Sequence, residues 1–289
     1  DQPRSRGLGD VYKRQPKNII TLLMKRLIHV FLSSLPVILI SGSTVEHSIY
    51  STSMNKQVPL IVVIPDIYFS TEILLPVVLL LHGHGGNYKS WSEKVDLEQR
   101  VDRYNSLIIC LDGSPNSWYL DSPMDQGSQY ETFMIDELIP WLRKNYRISR
   151  LGISGLSMGG HGALFLAFRH QDTFDAVSSI SGGVDLTYST VKWEISQKIG
   201  SYEKFSERWR DNSIVNMVYL VEKADLPIFI DCGIDDFFIE CNRELHSRLL
   251  KIGVVHKYNE KPGRHNWDYW TKNLDDHLEF IGIALTENE

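Results

Sequence analysis

The sequence predicts an α/β protein built on a mostly parallel sheet with helices on both faces. Short β-rich apolar runs alternate with helix-like segments along the chain. Those runs are continuous rather than alternating, which marks strands buried on both sides. At 289 residues, 43% hydrophobic and 23% charged, the chain is long enough and apolar enough to cover such a sheet.

The strand candidates, in order, are VPLIVVIP (58–65), ILLPVVLLLHG (73–83), SLIICLDG (106–113), RLGISGL (150–156), AVSSISG (176–182), LPIFIDCG (226–233) and GVVHKYNE (253–260). The first two stand close together, as in an antiparallel start. Helices are expected at 128–146, 240–252 and 267–281. The first opens with Ser128 and Glu131 at the spacing of a capping box. It then repeats Ile135, Leu138, Ile139 and Leu142 at helical period. Reactive groups of parallel sheets gather in loops beyond the carboxyl ends of strands. That puts Ser157, His84 and the turn 233–238 on one rim.

Ahead of the first strand, MKRLIHVFLSSLPVILISGS (24–43) runs from basic residues through an apolar stretch to small residues, the order of a secretory signal. The apolar part is shorter than the roughly 20 residues a spanning helix needs, and Pro36 interrupts it. The expectation is a secreted or periplasmic protein with no stable membrane insertion after signal cleavage. Residues 1–23 read as a non-native extension, and 44–289 as a single catalytic domain. A net charge of −6 and a pI near 5.9 give no footprint for nucleic acid. Cys110 and Cys232 sit in strand runs as buried, inert thiols. Cys241 follows Cys232 by nine positions, which leaves a bridge open, and no Cys/His spacing suggests zinc.

Gly155-Leu156-Ser157-Met158-Gly159 fits G-x-S-x-G between a strand and a helix. Such a turn strains the serine, and a side chain at either glycine would strike the neighbouring strand or helix. A serine hydroxyl is a poor nucleophile until a base takes its proton. His246, His256 and His277 fall within elements, whereas His265, in PGRHNW, lies in the loop after the last strand. Pro262 and Gly263 make that loop, and Trp267 begins the final helix. For the acid that orients the imidazole, CGIDDFF offers Asp236, with Asp235 as the alternative, while Asp231 belongs to the strand. The order Ser, Asp, His fits an α/β-hydrolase. The glycine-rich loop LLLHGHGGN (79–87) supplies an oxyanion hole from the backbone N–H groups of His84 and Met158. His82 and His84 as a metal pair lack the further ligands a metal needs, so no metal is expected. The same loop lacks the third glycine of a nucleotide fingerprint. His161, four past the serine, reads as packing. Trp118, Tyr119 and Trp267 are the substrate contacts expected. Residues 185–216, with Tyr188, Trp193, Tyr202 and Trp209, could fold as a cap.

Taken with DGSPNSWYLDSP, QYETF…ELIPWL, SGGVDL and GRHNWDYW, these motifs make the chain resemble the esterase D/antigen 85 branch of the α/β-hydrolases. It is most similar to tributyrin-esterase and to feruloyl- or acetyl-xylan-esterase-like members of carbohydrate esterase family 1. The resemblance spans roughly residues 46–283. It implies an eight- or nine-stranded sheet, no cofactor, and Ser157, Asp236 and His265 as a triad. The family's acidic turn reads CG-T-E-D, so Asp235 stands where Glu is common, which favours Asp236 as the acid. The expected function is a serine carboxylesterase that releases short-chain or aromatic acyl groups through an acyl-enzyme. Its substrate would be a small-molecule or polysaccharide-linked ester, acetyl or feruloyl on plant polysaccharide. Activity should rise as His265 loses its proton. Acyl transfer to a sugar acceptor, as in antigen 85, and a non-catalytic binding module are the alternatives, and a homo-oligomer is left open.

Overall fold

The computed structural model describes residues 42–286. Its eight strands are β1 (Ser43–Ser51), β2 (Lys56–Ile64), β3 (Leu75–Leu81), β4 (Leu107–Leu111), β5 (Ile148–Leu156), β6 (Ala176–Ile180), β7 (Ile228–Gly233) and β8 (Lys257–Lys261). They form one sheet in the order β1-β2-β4-β3-β5-β6-β7-β8. From β4 onward every neighbour is parallel, while β1–β2 and β2–β4 are antiparallel. The principal helices are α1 (Leu97–Tyr104), α2 (Ile139–Asn145), α3 (Met158–Arg169), α4 (Tyr202–Asp211), α5 (Ile239–Lys251) and α6 (Trp267–Thr286).

The continuous apolar runs have a direct reading in this sheet. Along β3, Val77, Leu79 and Leu81 point into one core, and Val78 and Leu80 into the other. The first core is covered by α2, α3 and α5, through Ile139, Leu164 and Leu245 among others. The second is covered by α1 and α6, through Val101, Leu274 and Ile281. Helix α3 is buried at every position from Met158 to Phe168, consistent with a sequence that is apolar all round.

The expected strand pairing, the capping box and the placing of His256 are corrected. The first two strand runs do not pair with each other, because β4 inserts between them and makes the antiparallel contact with β2. The antiparallel partner that β2 has on its other side is β1, a strand of mostly exposed polar residues that carries no continuous apolar signal. Its first residue is Ser43, so the expected domain start at 44 falls one residue inside it. No capping box forms at Ser128. The first turn is Tyr130–Thr132, followed by a π-helical segment Phe133–Leu138, and Glu131 instead reaches Arg169 and His170 across the fold. His256 precedes β8 rather than lying inside it. The expected extension 1–23 and all but the last two residues of the expected signal lie outside the described residues. Cys110, Cys232 and Cys241 are buried and free, so the bridge left open by spacing is not formed.

Asp231 on β7 is fully buried, with one carboxylate oxygen accepting from the Tyr269 hydroxyl and the other without a partner among the described residues. Lys261 Nζ lies 4.0 Å away. Burial pushes its pKa up from an ordinary 3.8 to about 6. A carboxyl raised in this way stabilises the fold fully below its unfolded pKa, and that contribution is lost as pH rises through 6. Asp231→Asn is therefore expected to stabilise the protein by about 1–2 kcal/mol at pH 8 and to change little at pH 4. Equal urea midpoints for the two proteins at pH 8 would refute this.

Candidate active site

The carboxyl ends of the six parallel strands share one rim, and His84, Ser157, Asp236 and His265 stand in the loops beyond β3, β5, β7 and β8. Ser157 joins β5 to α3 with φ 55° and ψ −113°, a conformation that costs a non-glycine residue about 1–3 kcal/mol. It is held there on both sides. Its N–H donates to Ile180 O at 2.9 Å, and its carbonyl accepts from Gly183 N–H at 3.1 Å. The flanking glycines are sterically required. A Cβ at Gly155 would lie 2.4 Å from Gly159 O, and one at Gly159 would lie 2.6 Å from the carbonyl oxygens of Leu81 and His82.

Asp236 sits in the turn after β7, 2% exposed, with Oδ1 accepting from Phe238 N–H at 2.8 Å. His265 sits in the loop after β8. Gly263 shapes that loop at φ 154°, laid against the Tyr269 ring and accepting at its carbonyl from Asp235 N–H at 3.0 Å. His265 Nδ1 lies 2.8 and 3.0 Å from the two Asp236 oxygens, and Nε2 lies 2.9 Å from Ser157 Oγ. An ionised carboxylate only accepts, so Nδ1 carries the proton and Nε2 is the acceptor for the serine hydroxyl. Asp235 is exposed and makes its bond through the backbone, so of the two carboxylates it is Asp236 that faces the imidazole. Rings enclose the imidazole: Phe237 at 4.2 Å, Trp270 at 5.0 Å and Phe238 at 5.3 Å between centroids.

The N–H groups of His84 and Met158 have no acceptor among the described residues. Met158 begins α3, where a helix leaves its first N–H groups free. The His84 N–H belongs to the peptide whose carbonyl is Gly83 O, and that carbonyl is pinned twice. Gly86 N–H donates to it at 3.0 Å, and His82 Nδ1 lies 2.8 Å away. Since His82 Nε2 accepts from Gly113 N–H at 2.8 Å, the proton sits on Nδ1 and is donated to Gly83 O. Burial lowers the His82 pKa and keeps this neutral form. His82 thus orients the peptide that carries the His84 N–H. The sequence offers His82 only as half of a metal pair, because Gly113, its partner, is 31 residues away.

A cleft of about 430 Å³ opens over Ser157 and His265, walled by Trp193, Phe237, Trp267 and Trp270 and rimmed by polar residues including Asn87 and Lys94. Trp267 is where the sequence expected it. Trp118 and Tyr119 are not: both are buried, at 2% and 0% exposed. Consecutive positive φ angles of 56° and 59° turn them inward. Trp118 donates its indole N–H to Trp193 O at 3.2 Å, and the Tyr119 hydroxyl donates to His82 O at 3.0 Å. They support the walls rather than forming them. Residues 185–216 fold as short helices, among them Ile195–Ile199 and α4. Of their aromatics only Trp193 lines the cleft, and Trp209 is buried. His161 packs between Trp118 O and Asn212 O, and burial lowers its pKa to about 4.

The Esterase family model, described as "Putative esterase", matches residues 51–281. The chain is similar to an acetyl esterase of Caldicellulosiruptor saccharolyticus, 28% identical over 255 residues, covering 80% of this chain and 95% of that one. A solved ferulic acid esterase superposes with a TM-score of 0.75 at 27% identity, covering 85% of this chain and 99% of that one. An S-formylglutathione hydrolase from Agrobacterium tumefaciens shares the fold, with a TM-score of 0.73 at 21% identity, covering 85% and 96% of the two chains. With the sheet, the turn at Ser157 and these likenesses together, the chain belongs to the Esterase family, a carboxylic ester hydrolase on an α/β-hydrolase fold.

Proposed function

We propose that this protein is a secreted or periplasmic serine carboxylesterase that removes acetyl or aromatic acyl groups from small-molecule or polysaccharide-linked esters. The observation that carries the reading is the unbroken hydrogen-bonded chain from Asp236 through His265 to Ser157 at the cleft. In this reading the Ser157 hydroxyl passes its proton to His265 Nε2 as Oγ bonds to the ester carbonyl carbon. The carbonyl becomes an oxyanion, received by the N–H groups of His84 and Met158. As the intermediate collapses, the ester C–O bond breaks and the departing alkoxide takes the proton from His265. A water then repeats the sequence on the acyl-enzyme, releasing the acid and restoring Ser157. Asp236 keeps the ring oriented and stabilises it while charged.

The acyl group is supported by the names of two relatives, an acetyl esterase and a ferulic acid esterase. The location rests on the signal-like segment 24–43. The test is a fluorophosphonate probe followed by peptide mapping, beside a panel of p-nitrophenyl acetate, methyl ferulate and acetylated xylan. One adduct on Ser157, with matching loss of hydrolysis of acetyl or feruloyl esters, is the expected result. Esters still cleaved by protein fully labelled at Ser157 would defeat the mechanism.

A further inference from the structure

The loop 262–266, which carries His265 from β8 to α6, is gripped from two sides. On one side lies the turn after β7. A Cβ at Gly233 would stand 2.4 Å from Gly263 O, so only a glycine lets that turn come so close. Two bonds join them there: Ile234 N–H donates to Lys261 O at 2.9 Å, and Asp235 N–H to Gly263 O at 3.0 Å. On the other side lies the Tyr269 ring, whose edge carbon would be 2.2 Å from a Cβ at Gly263. His265 itself adds no anchor, because neither its N–H nor its carbonyl bonds to another group among the described residues.

The ring that presses on Gly263 has its own anchor. Tyr269 stands in the first turn of α6, at a helix end, where fraying is the rule. Asn266 Oδ1 accepts from its N–H at 3.1 Å, and the phenol hydroxyl runs inward to donate to Asp231 Oδ1. Burial and the neighbouring carboxylate push the phenol pKa up, so the hydroxyl stays a donor. Asp231 has a pKa of about 6 and is ionised at pH 8, which makes the bond charge-assisted. The nearest cation, Lys261, bonds to Asn273 and Asp276 instead. A buried carboxylate with one oxygen unpaired costs stability. Lying outside the reacting groups yet beneath them, it calls for a role.

We propose that Asp231 and Tyr269 are a positioning pair that keeps the His265 loop docked on the Asp236 turn. The proposal rests on the serine-esterase reading. Strand β7 then holds the loop from both sides. Asp236 stands in the turn beyond its end, and Asp231 within it anchors the ring that presses Gly263 onto that same turn. Neither residue touches a reacting atom. They act through the 2.8 and 3.0 Å contacts of His265 Nδ1 with Asp236. With the hydroxyl released, the ring is free to slide along Gly263, and no backbone bond at His265 resists its withdrawal from the carboxylate. The loss falls on proton transfer rather than on substrate binding.

The test uses the double variant Asp231→Leu/Tyr269→Phe, which replaces both partners by apolar groups of similar shape, beside Asp231→Asn, which keeps an acceptor oxygen. The double variant is expected to match or exceed the wild-type urea midpoint, because no polar group of the pair is left unpaired. Its kcat for p-nitrophenyl acetate at pH 8 should nevertheless fall by about 10- to 30-fold, with KM within about 2-fold. Asp231→Asn should stay within about 3-fold of wild-type kcat. In proton NMR, the His265 Nδ1 proton, identified by its absence from His265→Ala, should exchange with water faster in the double variant than in wild type. If the double variant does not fold, Tyr269→Phe alone is expected to show the same split. Wild-type kcat in the double variant, or a loss confined to KM, overturns the proposal. If wild type hydrolyses no ester, the serine-esterase reading falls and the Nδ1 proton decides. Faster exchange in the variant then keeps the pair as the support of the loop, and equal exchange removes it.

Discussion

Replacing Ser157 with alanine is expected to lower kcat for p-nitrophenyl acetate by roughly 10^5- to 10^6-fold while shifting stability by less than about 1 kcal/mol. The two effects separate because, in the proposed mechanism, the hydroxyl contributes the reacting oxygen but little packing. The turn keeps its positive φ and its bonds to Ile180 and Gly183, which are backbone bonds. Asp236→Asn should cost less, about 10^4-fold, for a different reason. An amide N–H₂ facing His265 would make Nδ1 an acceptor and move the ring proton to Nε2, where it points at the serine and cannot take its proton. Single-turnover assays with circular dichroism on the same samples check both. A Ser157→Ala protein retaining more than a few per cent of wild-type kcat would show that the hydroxyl is not the nucleophile.

Gly159→Ala should damage fold and activity together, by about 3 kcal/mol in stability and 100-fold or more in kcat. The added methyl would sit 2.6 Å from two backbone carbonyls, Leu81 O and His82 O, at the end of β3. Backbone cannot rotate aside as a flexible side chain can, so either α3 or the β3 end must move. Both carry groups of the site: α3 starts with the Met158 N–H, and the β3 end leads into the peptide bearing the His84 N–H. In the proposed mechanism, a shift of either by about 1 Å takes a donor away from the oxyanion. Urea denaturation and kcat measured together test the coupling. Wild-type values in both would mean the strand and helix have room that the geometry denies them.

The local sequence was sufficient for what depends on local constraint. Glycines two positions either side of Ser157 mark a strand-to-helix crossing because no other residue fits there, and that steric rule is written in five residues. Asp236 and His265 were legible for a similar reason: each stands in the turn beyond one of the last two strand runs, so a parallel sheet carries both to the same rim. The alternation of runs and helical periods likewise determined the layered architecture and the two-sided cores.

Tertiary structure decided what depends on partners distant in sequence. That β4 separates β2 from β3 is a pairing choice among equally apolar runs, which periodicity does not rank. Glu131 had the spacing of a cap, but the Arg169 guanidinium and the His170 ring, brought in by α3, offered it partners instead. Trp118 and Tyr119 looked like substrate contacts in a loop near the site, and two positive φ angles turned them inward to hold Trp193 and the His82 carbonyl. Phe237, next to Asp236 in the sequence, became the wall beside His265 because the turn that buries the carboxylate leaves the following ring outside. The residue types therefore determined the chemistry available, while the long-range hydrogen bonds of His82 and Trp118 decided which surfaces face the cleft.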